Sequence, residues 1–288
     1  MSEDNRGMIL DEIVRQYTQP LEPVPAGIHR GGTLHETTRA LLFDVYGTLF
    51  ISVAGDIGAA EKQADQNVGR IRNLLERFHV RRDVHTLHSD FFDAIRRQKG
   101  RMEAQGVDFP EVVIEDIWKE LLKTDEDAFV RQFAMEYELI VNPVYPMPHA
   151  RELMMICREK KIPMGIISNA QFYTSYLFTA LMRDSLGGLG FRDDLLFFSY
   201  RYGYCKPSLF LFRKAADSLN RLGITAEKTL YVGNDMLKDI YPAQKMGFQT
   251  ALFAGDKRSL KLREDDNRCR DLSADIVITD LLQIADYL

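Results

Sequence analysis

The fold is decided by one stretch near the amino terminus, Ala40-Leu41-Leu42-Phe43-Asp44-Val45-Tyr46-Gly47-Thr48-Leu49-Phe50. Its first half reads as a buried strand, which ends at Asp44 before a tight turn that contains Gly47 and the Thr48 hydroxyl. An apolar run that stops on such a turn is typical of a central parallel strand that carries a functional group to the sheet edge. An ordinary Asp/Gly loop would read the same way, so the rest of the chain decides between the two interpretations.

Helices and strands alternate after a proline-rich boundary at residues 143–148. The pattern predicts helices over 149–160, 174–182, 208–219, 237–246 and 280–288, and strands over 162–167, 195–198, 229–232, 250–253 and 276–278. Alternation of this kind predicts an α/β protein with a doubly wound parallel sheet. Ligands of such sheets bind outside the carboxyl ends of the strands.

Two segments do not follow this alternation. Residues 58–142 show helical spacing of apolar side chains, with a break at 106–110, and predict a helical module inserted into the α/β part. Residues 1–38 contain a short predicted helix, Met8 to Tyr17, and then a connector with three prolines. We expect this lead-in to be a surface tail. We also expect Phe50 to Ala54 to form a short flap.

Composition and charge exclude several classes of protein. The chain has 288 residues, 45% of them hydrophobic and 27% charged, as in an ordinary globular protein. Its net charge of -5 and its lack of a long apolar run predict no nucleic-acid partner and no membrane segment. The three cysteines are widely spaced, which disfavours a disulfide framework or a zinc site, and the acidic start is unlike a signal peptide. These features predict a cytoplasmic protein, and they leave its oligomeric state open.

Three later stretches place polar groups at predicted strand ends. Ser168 and Asn169 can donate hydrogen bonds to an anion, and Lys206 stands before a helix predicted to open on Pro207. The third stretch is Gly233-Asn234-Asp235-Met236-Leu237-Lys238-Asp239, whose oxygen atoms suit Mg²⁺. Taken singly, these stretches also fit a loop start, a surface lysine, and a helix cap with Asp239 in solvent.

The four stretches together, in this order, resemble the haloacid dehalogenase superfamily, over about residues 40–288. The helical insert is similar to the cap of its phosphoglycolate-phosphatase-like branch. The resemblance implies a Rossmann-like catalytic core at 38–52 and 145–288, with helices on both faces of the sheet. It implies an all-α cap at 53–144 and leaves 1–37 as an extension.

The resemblance also implies the roles of individual residues. Asp44 is the nucleophile, and a carboxylate needs no base to activate it at neutral pH. Lys206 bridges Asp44 and the phosphoryl oxygens, Ser168 and Asn169 bind substrate, and Thr48 orders the loop. The resemblance implies a Mg²⁺ cofactor held by Asp44, the Tyr46 carbonyl and a side chain of the fourth motif, Asn234 or Asp235, with Asp239 as a further catalytic residue. Three carboxylates here would repel one another without a cation.

The sequence departs from the family's phosphatases at Tyr46, where they carry the aspartate that serves as general acid. A phenol with a pKa near 10 is a poor base at neutral pH, so turnover is slow, another group replaces the acid, or the reaction differs. Tyrosine at this position resembles the metal-independent 2-haloacid dehalogenases, which form an aspartyl ester. Those enzymes, however, carry a tyrosine where this chain has Phe212, and a mostly uncharged fourth motif.

Three hypotheses follow. The first is a Mg²⁺-dependent phosphatase that acts on a small phosphorylated metabolite through an aspartyl phosphate. The second is a 2-haloacid dehalogenase, whose cap arginine for the substrate carboxylate would be one of Arg72, Arg77, Arg96, Arg97 and Arg101. The third is a binding or regulatory protein that kept the fold and lost the acid.

Overall fold

The structure, a computed structural model, describes residues 3–53 and 66–288, with side chains from Gly7 onward. The expected end of the flap at Ala54 and the start of the predicted helical segment at Gly58 lie outside these ranges. Within them, no helix is both long enough and apolar enough to cross a membrane.

A seven-stranded sheet forms the centre of the protein, in the order β1-β9-β8-β7-β2-β5-β6. Its strands are β1 (Gly31–Gly32), β2 (Ala40–Phe43), β5 (Met164–Ser168), β6 (Phe191–Phe198), β7 (Thr229–Gly233), β8 (Gln249–Phe253) and β9 (Ile276–Ile278). All neighbouring strands are parallel except β1 and β9. The predicted parallel α/β sheet is confirmed, and the strand that precedes Asp44 lies between β7 and β5.

Both faces of the sheet are buried. All four side chains of β2 are buried, and successive side chains of a strand point to opposite faces. Leu41 and Phe43 belong to one hydrophobic cluster and Leu42 to another. The core helices are α6 (Ala150–Glu159), α7 (Thr174–Leu177), α8 (Phe210–Arg221) and α9 (Tyr241–Lys245). Leu153 of α6 and Phe212 of α8 lie in different clusters, so helices cover both faces.

The described part of the inserted segment consists of helices and the loops that connect them, as predicted. Its helices are α2 (Val68–Arg77), α3 (Val84–Ala104), α4 (Ile114–Leu122) and α5 (Asp127–Val141). Their shared core is aromatic: the Trp118 ring stacks on Phe91 with centroids 4.5 Å apart, and Phe133 and Tyr137 each lie 4.8 Å from Trp118. Aromatic pairs of this kind contribute about 0.5–1.5 kcal/mol each beyond their buried area.

A two-stranded ribbon joins the insert to the core. Strand β3 (Phe50–Ser52) pairs antiparallel with β4 (Val144–Pro146), so the chain leaves and re-enters the core at one place. The sequence predicted a flap for the first strand and only a proline-rich boundary for the second. The second strand was missed because proline is disfavoured in strands, although it is tolerated at the edge of a sheet.

The expectation of a surface tail at the amino terminus was wrong. Helix α1 (Glu3–Tyr17) buries Leu10, Ile13 and Val14, and the Tyr17 hydroxyl donates a hydrogen bond of 2.6 Å to Glu136 of α5. These apolar residues recur at helical spacing and so form one face, which packs against the helical insert. The predicted helix was therefore correct, but its exposure was not.

Four predicted helices differ in detail. The helix expected to open on Pro207 begins at Phe210, so Lys206 lies in a loop rather than at a helix start. The terminal helix is a 3₁₀ helix, Leu281–Tyr287. The helices predicted at 174–182 and 237–246 contain π-helical turns at Phe178–Met182 and Met236–Ile240.

Candidate active site

Asp44 follows β2 at the carboxyl edge of the sheet and is 7% exposed. Its main-chain N–H donates to the Val232 carbonyl (2.9 Å), which continues the pairing with β7 beyond the strand. One carboxylate oxygen, Oδ1, accepts hydrogen bonds from Ser168 Oγ (2.8 Å) and Lys206 Nζ (2.7 Å). Among the residues that the structure describes, Oδ2 has no hydrogen-bond partner, so Asp44 is held through one oxygen and presents the other.

Lys206 connects two carboxylates. Its Nζ lies 2.7 Å from Asp44 Oδ1 and 2.5 Å from Asp239 Oδ1, and it donates to the Tyr231 hydroxyl at 3.1 Å. Burial lowers the pKa of Lys206, but the charges of Asp239 and Asp44 outweigh burial and raise it above its ordinary value. The ammonium group therefore stays charged and is fixed beside Asp44.

Asn169 holds the loop that carries this lysine. Its Oδ1 accepts from the Lys206 main-chain N–H (2.6 Å), and its Nδ2 donates to the Lys206 carbonyl (3.2 Å). The sequence predicted that Asn169 binds substrate. In the structure both ends of its amide bind the Lys206 backbone and its side chain also lines the cavity, so Asn169 fixes the loop of the lysine and its contact with substrate stays a prediction.

Asp239 is 1% exposed, which excludes the alternative of a solvated carboxylate in a helix cap. Its Oδ2 accepts from the main-chain N–H groups of Asn234 (3.1 Å) and Asp235 (3.0 Å), and its Oδ1 accepts from Lys206 and Tyr231. Burial raises the pKa of Asp239, the nearby carboxylates add to this effect, and Lys206 opposes it. Since both oxygens are engaged, Asp239 orients Lys206 and the fourth-motif loop rather than offering a free carboxylate.

Thr48 and Asn234 connect the first and fourth motifs. Thr48 Oγ1 donates to Asn234 Oδ1 (3.1 Å), and Asn234 Nδ2 donates to the Ser259 carbonyl (2.6 Å). Gly47 has a φ of +85°, and a Cβ at this position would lie 2.6 Å from Asn234 Nδ2. Glycine is thus required both by the backbone and by the close approach of Asn234. Thr48 is thus bound to the fourth-motif loop, and its role in ordering the first loop stays a prediction.

Asp235, predicted as a metal ligand, is engaged by other groups. Its Oδ1 accepts from the main-chain N–H groups of Leu237 (2.9 Å) and Lys238 (3.1 Å), so it caps the helix that follows. Arg263 Nη2 donates to its Oδ2 at 2.6 Å. Arg263 is brought there because Lys261 pairs through its backbone with the chain around Asp235.

The charge argument from the sequence therefore needs correction. Lys206 stands between Asp44 and Asp239, and Arg263 pairs with Asp235, so these side chains already offset the repulsion within the cluster. Among the described residues, no group of three or more His, Cys, Asp or Glu side chains could hold a metal ion. No sequence pattern pointed to Arg263, which lies 28 residues after Asp235.

Tyr46 lies at the position where the family's phosphatases carry their acid. Its hydroxyl is 2.9 Å from Thr174 Oγ1. Burial raises the pKa of Tyr46, and the charges of Glu138 and Asp44 raise it further, while the hydrogen bond with Thr174 opposes them. The Tyr46 phenol therefore remains protonated at neutral pH and does not serve as a base.

A cavity of about 210 Å³ lies over these groups, between the strand ends and the helical insert. The strand side carries Asp44, Tyr46 and Lys206. The insert contributes an apolar wall and two carboxyl groups. Besides Lys206, the positively charged side chains of the lining come from both the strand side and the insert. The insert residues are Phe91, Phe92, Ile95, Lys99, Glu111, Val112, Ile114, Glu138 and Asn142. Sequence reasoning identified none of these, because each is an ordinary residue of a helix or loop when read alone.

The structure shows where two features expected of a haloacid dehalogenase would lie, the active-site tyrosine and the cap arginine. Phe212, at the position of their active-site tyrosine, is fully buried in the core, with its ring 5.1 Å from that of Tyr231. None of the five candidate arginines lines the cavity. Three of them form ion pairs elsewhere, namely Arg77 with Glu136, Arg96 with Asp93 and Arg97 with Glu120.

Comparison with known protein families supports the family resemblance of these motifs. The family model for haloacid dehalogenase-like hydrolase matches residues 38–258. The chain belongs to the haloacid dehalogenase-like hydrolases. The match begins just before β2 and ends beside Ser259, so it includes all four motifs of this hydrolase.

Two curated relatives of this hydrolase are named as phosphatases. The glyceraldehyde 3-phosphate phosphatase of Methanocaldococcus jannaschii is 29% identical over 175 residues, 60% of this chain and 70% of the relative. The ribulose-1,5-bisphosphate 5-phosphatase of Halopiger xanaduensis is 27% identical over 164 residues, 56% of this chain and 62% of the relative.

Solved structures share the fold. A 2-haloacid dehalogenase from Pseudomonas syringae pv. tomato DC3000 aligns with 87% of this chain and 97% of its own, with a TM-score of 0.53 and 17% identity. A HAD phosphatase from Thermococcus onnurineus aligns with 86% of this chain and 97% of its own, with a TM-score of 0.50 and 17% identity. Both reactions therefore occur on this fold, and the fold does not choose between them.

Proposed function

We propose that this hydrolase is a phosphatase of a small phosphorylated metabolite and that Asp44 is its nucleophile. The observation that supports this most directly is the geometry of the Asp44 carboxylate. Ser168 and Lys206 hold Oδ1, and Oδ2 is without a hydrogen-bond partner among the described residues. A fixed carboxylate with one available oxygen at a cavity wall suits attack on phosphorus.

The neighbouring groups supply what phosphoryl transfer requires. An anionic nucleophile must approach an anionic phosphoryl group, so positive charge and hydrogen-bond donors at this place lower the barrier. Lys206 provides a permanent charge 2.7 Å from Asp44, and Ser168 provides a hydroxyl at the same oxygen. Asp239 and Asn169 keep the lysine in place.

The helical insert is proposed to act as the cap of the core at 38–52 and 145–288. Its aromatic and aliphatic side chains line the cavity together with Lys99. This lining suits a small molecule that carries both an apolar portion and an anionic group. The phosphatase names of the two curated relatives support the same class of substrate.

The predicted magnesium ligands do not fit the ion well as they stand. Asp235 is bound to Arg263 and to two main-chain N–H groups, and the Asn234 oxygen accepts from Thr48. Asp44 is then the one carboxylate of the predicted set with an oxygen to offer, whereas Mg²⁺ prefers an octahedral shell of oxygen donors. The chemistry attributed to Asp44 and Lys206 therefore rests on protein groups.

A haloacid dehalogenase remains the second candidate, because Tyr46 matches those enzymes. Against it stand the buried Phe212 and the absence of the five candidate arginines from the cavity wall. A paired assay separates the hypotheses: phosphate release from 4-nitrophenyl phosphate and glyceraldehyde 3-phosphate, and halide release from 2-chloropropionate. Each is measured with Mg²⁺ and with a chelator, for the wild type and for Asp44→Asn.

We expect phosphate release that Asp44→Asn abolishes. Loss of activity with the chelator would return Mg²⁺ to the site and would require Arg263 to leave Asp235. Halide release that a chelator does not affect would assign the protein to the dehalogenases. Absence of both activities would contradict the proposal and favour a binding protein.

A further inference from the structure

A phosphatase that cleaves an alkyl phosphate ester needs a proton donor for the leaving oxygen, and Tyr46 does not supply one. Its hydroxyl is paired with Thr174 and its pKa is raised by burial. An alkoxide is a poor leaving group, so a positioned acid contributes about 10²–10⁴-fold to such a step. The acid must therefore come from another residue of the cavity.

Five carboxyl groups line the cavity, and most of them are already engaged by charged groups. Asp44 and Asp239 share Lys206, and Asp235 is paired with Arg263. Glu111 accepts from Ser199 Oγ (2.8 Å) and from the Val112 N–H (3.1 Å). Burial raises the pKa of Glu111, and the nearby charges of Lys99 and Lys238 oppose the rise.

Glu138 of helix α5 is different, because neutral groups bind its carboxyl and, among the described residues, no cation lies near it. Asn142 Nδ2 donates to Oε1 at 3.0 Å, and the Tyr173 hydroxyl is its other hydrogen-bond partner. No lysine or arginine of the described residues acts on it. Burial raises the pKa of Glu138, and the two hydrogen bonds oppose the rise. A buried carboxyl without a cation tends to keep its proton, as a general acid must.

Glu138 also lies in the right part of the molecule. It lines the same cavity as Asp44 and Tyr46, and its charge and that of Asp44 both act on the Tyr46 hydroxyl. The segment from Asp44 to Tyr46 is where the family's acid would stand. Glu138 thus lines, from the side of the cap, the part of the cavity in which Tyr46 provides no acid.

We propose that Glu138 of the helical insert is the general acid and base of this hydrolase, in place of the missing acid at position 46. This inference rests on the proposed phosphatase function. Asp44 Oδ2 forms a bond to phosphorus, the bond from phosphorus to the leaving oxygen breaks, and the Glu138 proton passes to that oxygen to release the alcohol. Glu138, now ionised, takes a proton from a water molecule that attacks the aspartyl phosphate. The bond from phosphorus to Asp44 breaks, which releases phosphate and leaves Asp44 ionised and Glu138 protonated.

The test uses Glu138→Gln and two substrates that differ in their need for an acid. 4-Nitrophenolate leaves without a proton, so kcat/KM for 4-nitrophenyl phosphate should stay within about threefold of the wild type. The leaving group of glyceraldehyde 3-phosphate is an alkoxide, so kcat/KM for this substrate should fall about 10²–10⁴-fold. Hydrolysis of the aspartyl phosphate also loses its base, so 4-nitrophenyl phosphate should give a burst of about one nitrophenolate per active site and then slow turnover.

Glu136→Gln is the matched control, since Glu136 lies on the same helix but pairs with Arg77 and Tyr17 away from the cavity. It should show neither the burst nor the difference between the substrates. Thermal melting of each variant shows whether it is folded.

Several outcomes would overturn the inference. They are equal losses of kcat/KM for both substrates, no loss with either, or the substrate-dependent loss in Glu111→Gln instead. If the wild type releases no phosphate from either substrate, the proposed function fails and Glu138 fails with it. If the wild type is active and Asp44→Asn is not, an unaffected Glu138→Gln overturns the inference alone.

Discussion

The two walls of the cavity treat buried carboxyl groups in different ways. On the strand side, Lys206 lies between Asp44 and Asp239, so each carboxylate faces a fixed positive charge. On the helical side, Glu138 receives hydrogen bonds from neutral Asn142 and Tyr173 and faces no cation among the described residues. The cation of the first arrangement favours the charged carboxylates, whereas the second arrangement offers no charge that opposes protonation. A phosphatase needs both, a nucleophile that stays ionised and an acid that titrates.

The largest expected effect concerns the strand wall. Asp44→Asn removes the nucleophile but leaves Lys206 paired with Asp239, so the protein should fold while turnover falls at least about 10⁴-fold. Steady-state phosphate release measures the loss, with Asp193→Asn, at an exposed position of β6, as the control. Activity near the wild-type level would show that Asp44 is not the nucleophile.

Lys206→Met tests whether the cation is what makes the strand wall stable. Asp44 and Asp239 would then face each other, buried and without a positive charge, and the free energy of unfolding should fall by about 3–5 kcal/mol. Urea denaturation at pH 7 measures this loss, which should shrink at pH 5 because burial raises the pKa of Asp239 and favours its protonated form. Lys245→Met, at an exposed position, should change stability by less than about 0.5 kcal/mol. An equally small change for Lys206→Met would contradict the comparison.

Tyr46→Asp sharpens the role of the helical wall. If Glu138 replaces the family's acid, a carboxyl at position 46 should add little to the wild type. The same change should restore about tenfold of the lost glyceraldehyde 3-phosphate activity when added to Glu138→Gln. Rates of the two single variants and the double variant decide this. Equal gains in both backgrounds would mean that Glu138 and position 46 act independently.

The smallest expected effect is on stability at alkaline pH. Because the pKa of Glu138 is raised in the folded state, folding is opposed as pH rises above the pKa of the unfolded carboxyl, and the opposition is complete above the folded pKa. The titratable neighbours Tyr46 and Tyr173 have raised pKa values of their own and stay neutral. Glu138→Gln should therefore be about 1 kcal/mol more stable than the wild type at pH 8, with a smaller difference at pH 5.

Glu136→Gln should do the opposite in the same experiment, because it weakens the ion pair with Arg77. Urea midpoints at the two pH values compare these glutamates two residues apart. A destabilising Glu138→Gln at pH 8 would show that an unrecognised group stabilises its charged form.

The strand-end motifs were readable from the sequence because each is local. Asp44, Ser168, Lys206 and Asp239 stand near predicted strand ends, and a parallel sheet gathers such ends at one edge. The structure brings these four together, as expected. The prediction of Asn169 as a substrate ligand stays a prediction: its side chain lines the cavity and also binds the backbone of a residue 37 positions away, which no local pattern indicated.

The parallel α/β sheet, the helical insert and the candidate nucleophile could be predicted from the residue pattern, since hydrophobic period and turn chemistry are properties of short segments. Which charged side chains meet depends on the folded chain. Arg263 reaches Asp235 through a loop that pairs with the fourth motif, and Glu138 lines the same cavity as the residues at the strand ends. A glutamate on a helix reads as a solvated charge until the partners of its carboxyl are known. Those partners are set by long-range packing, which no local pattern encodes.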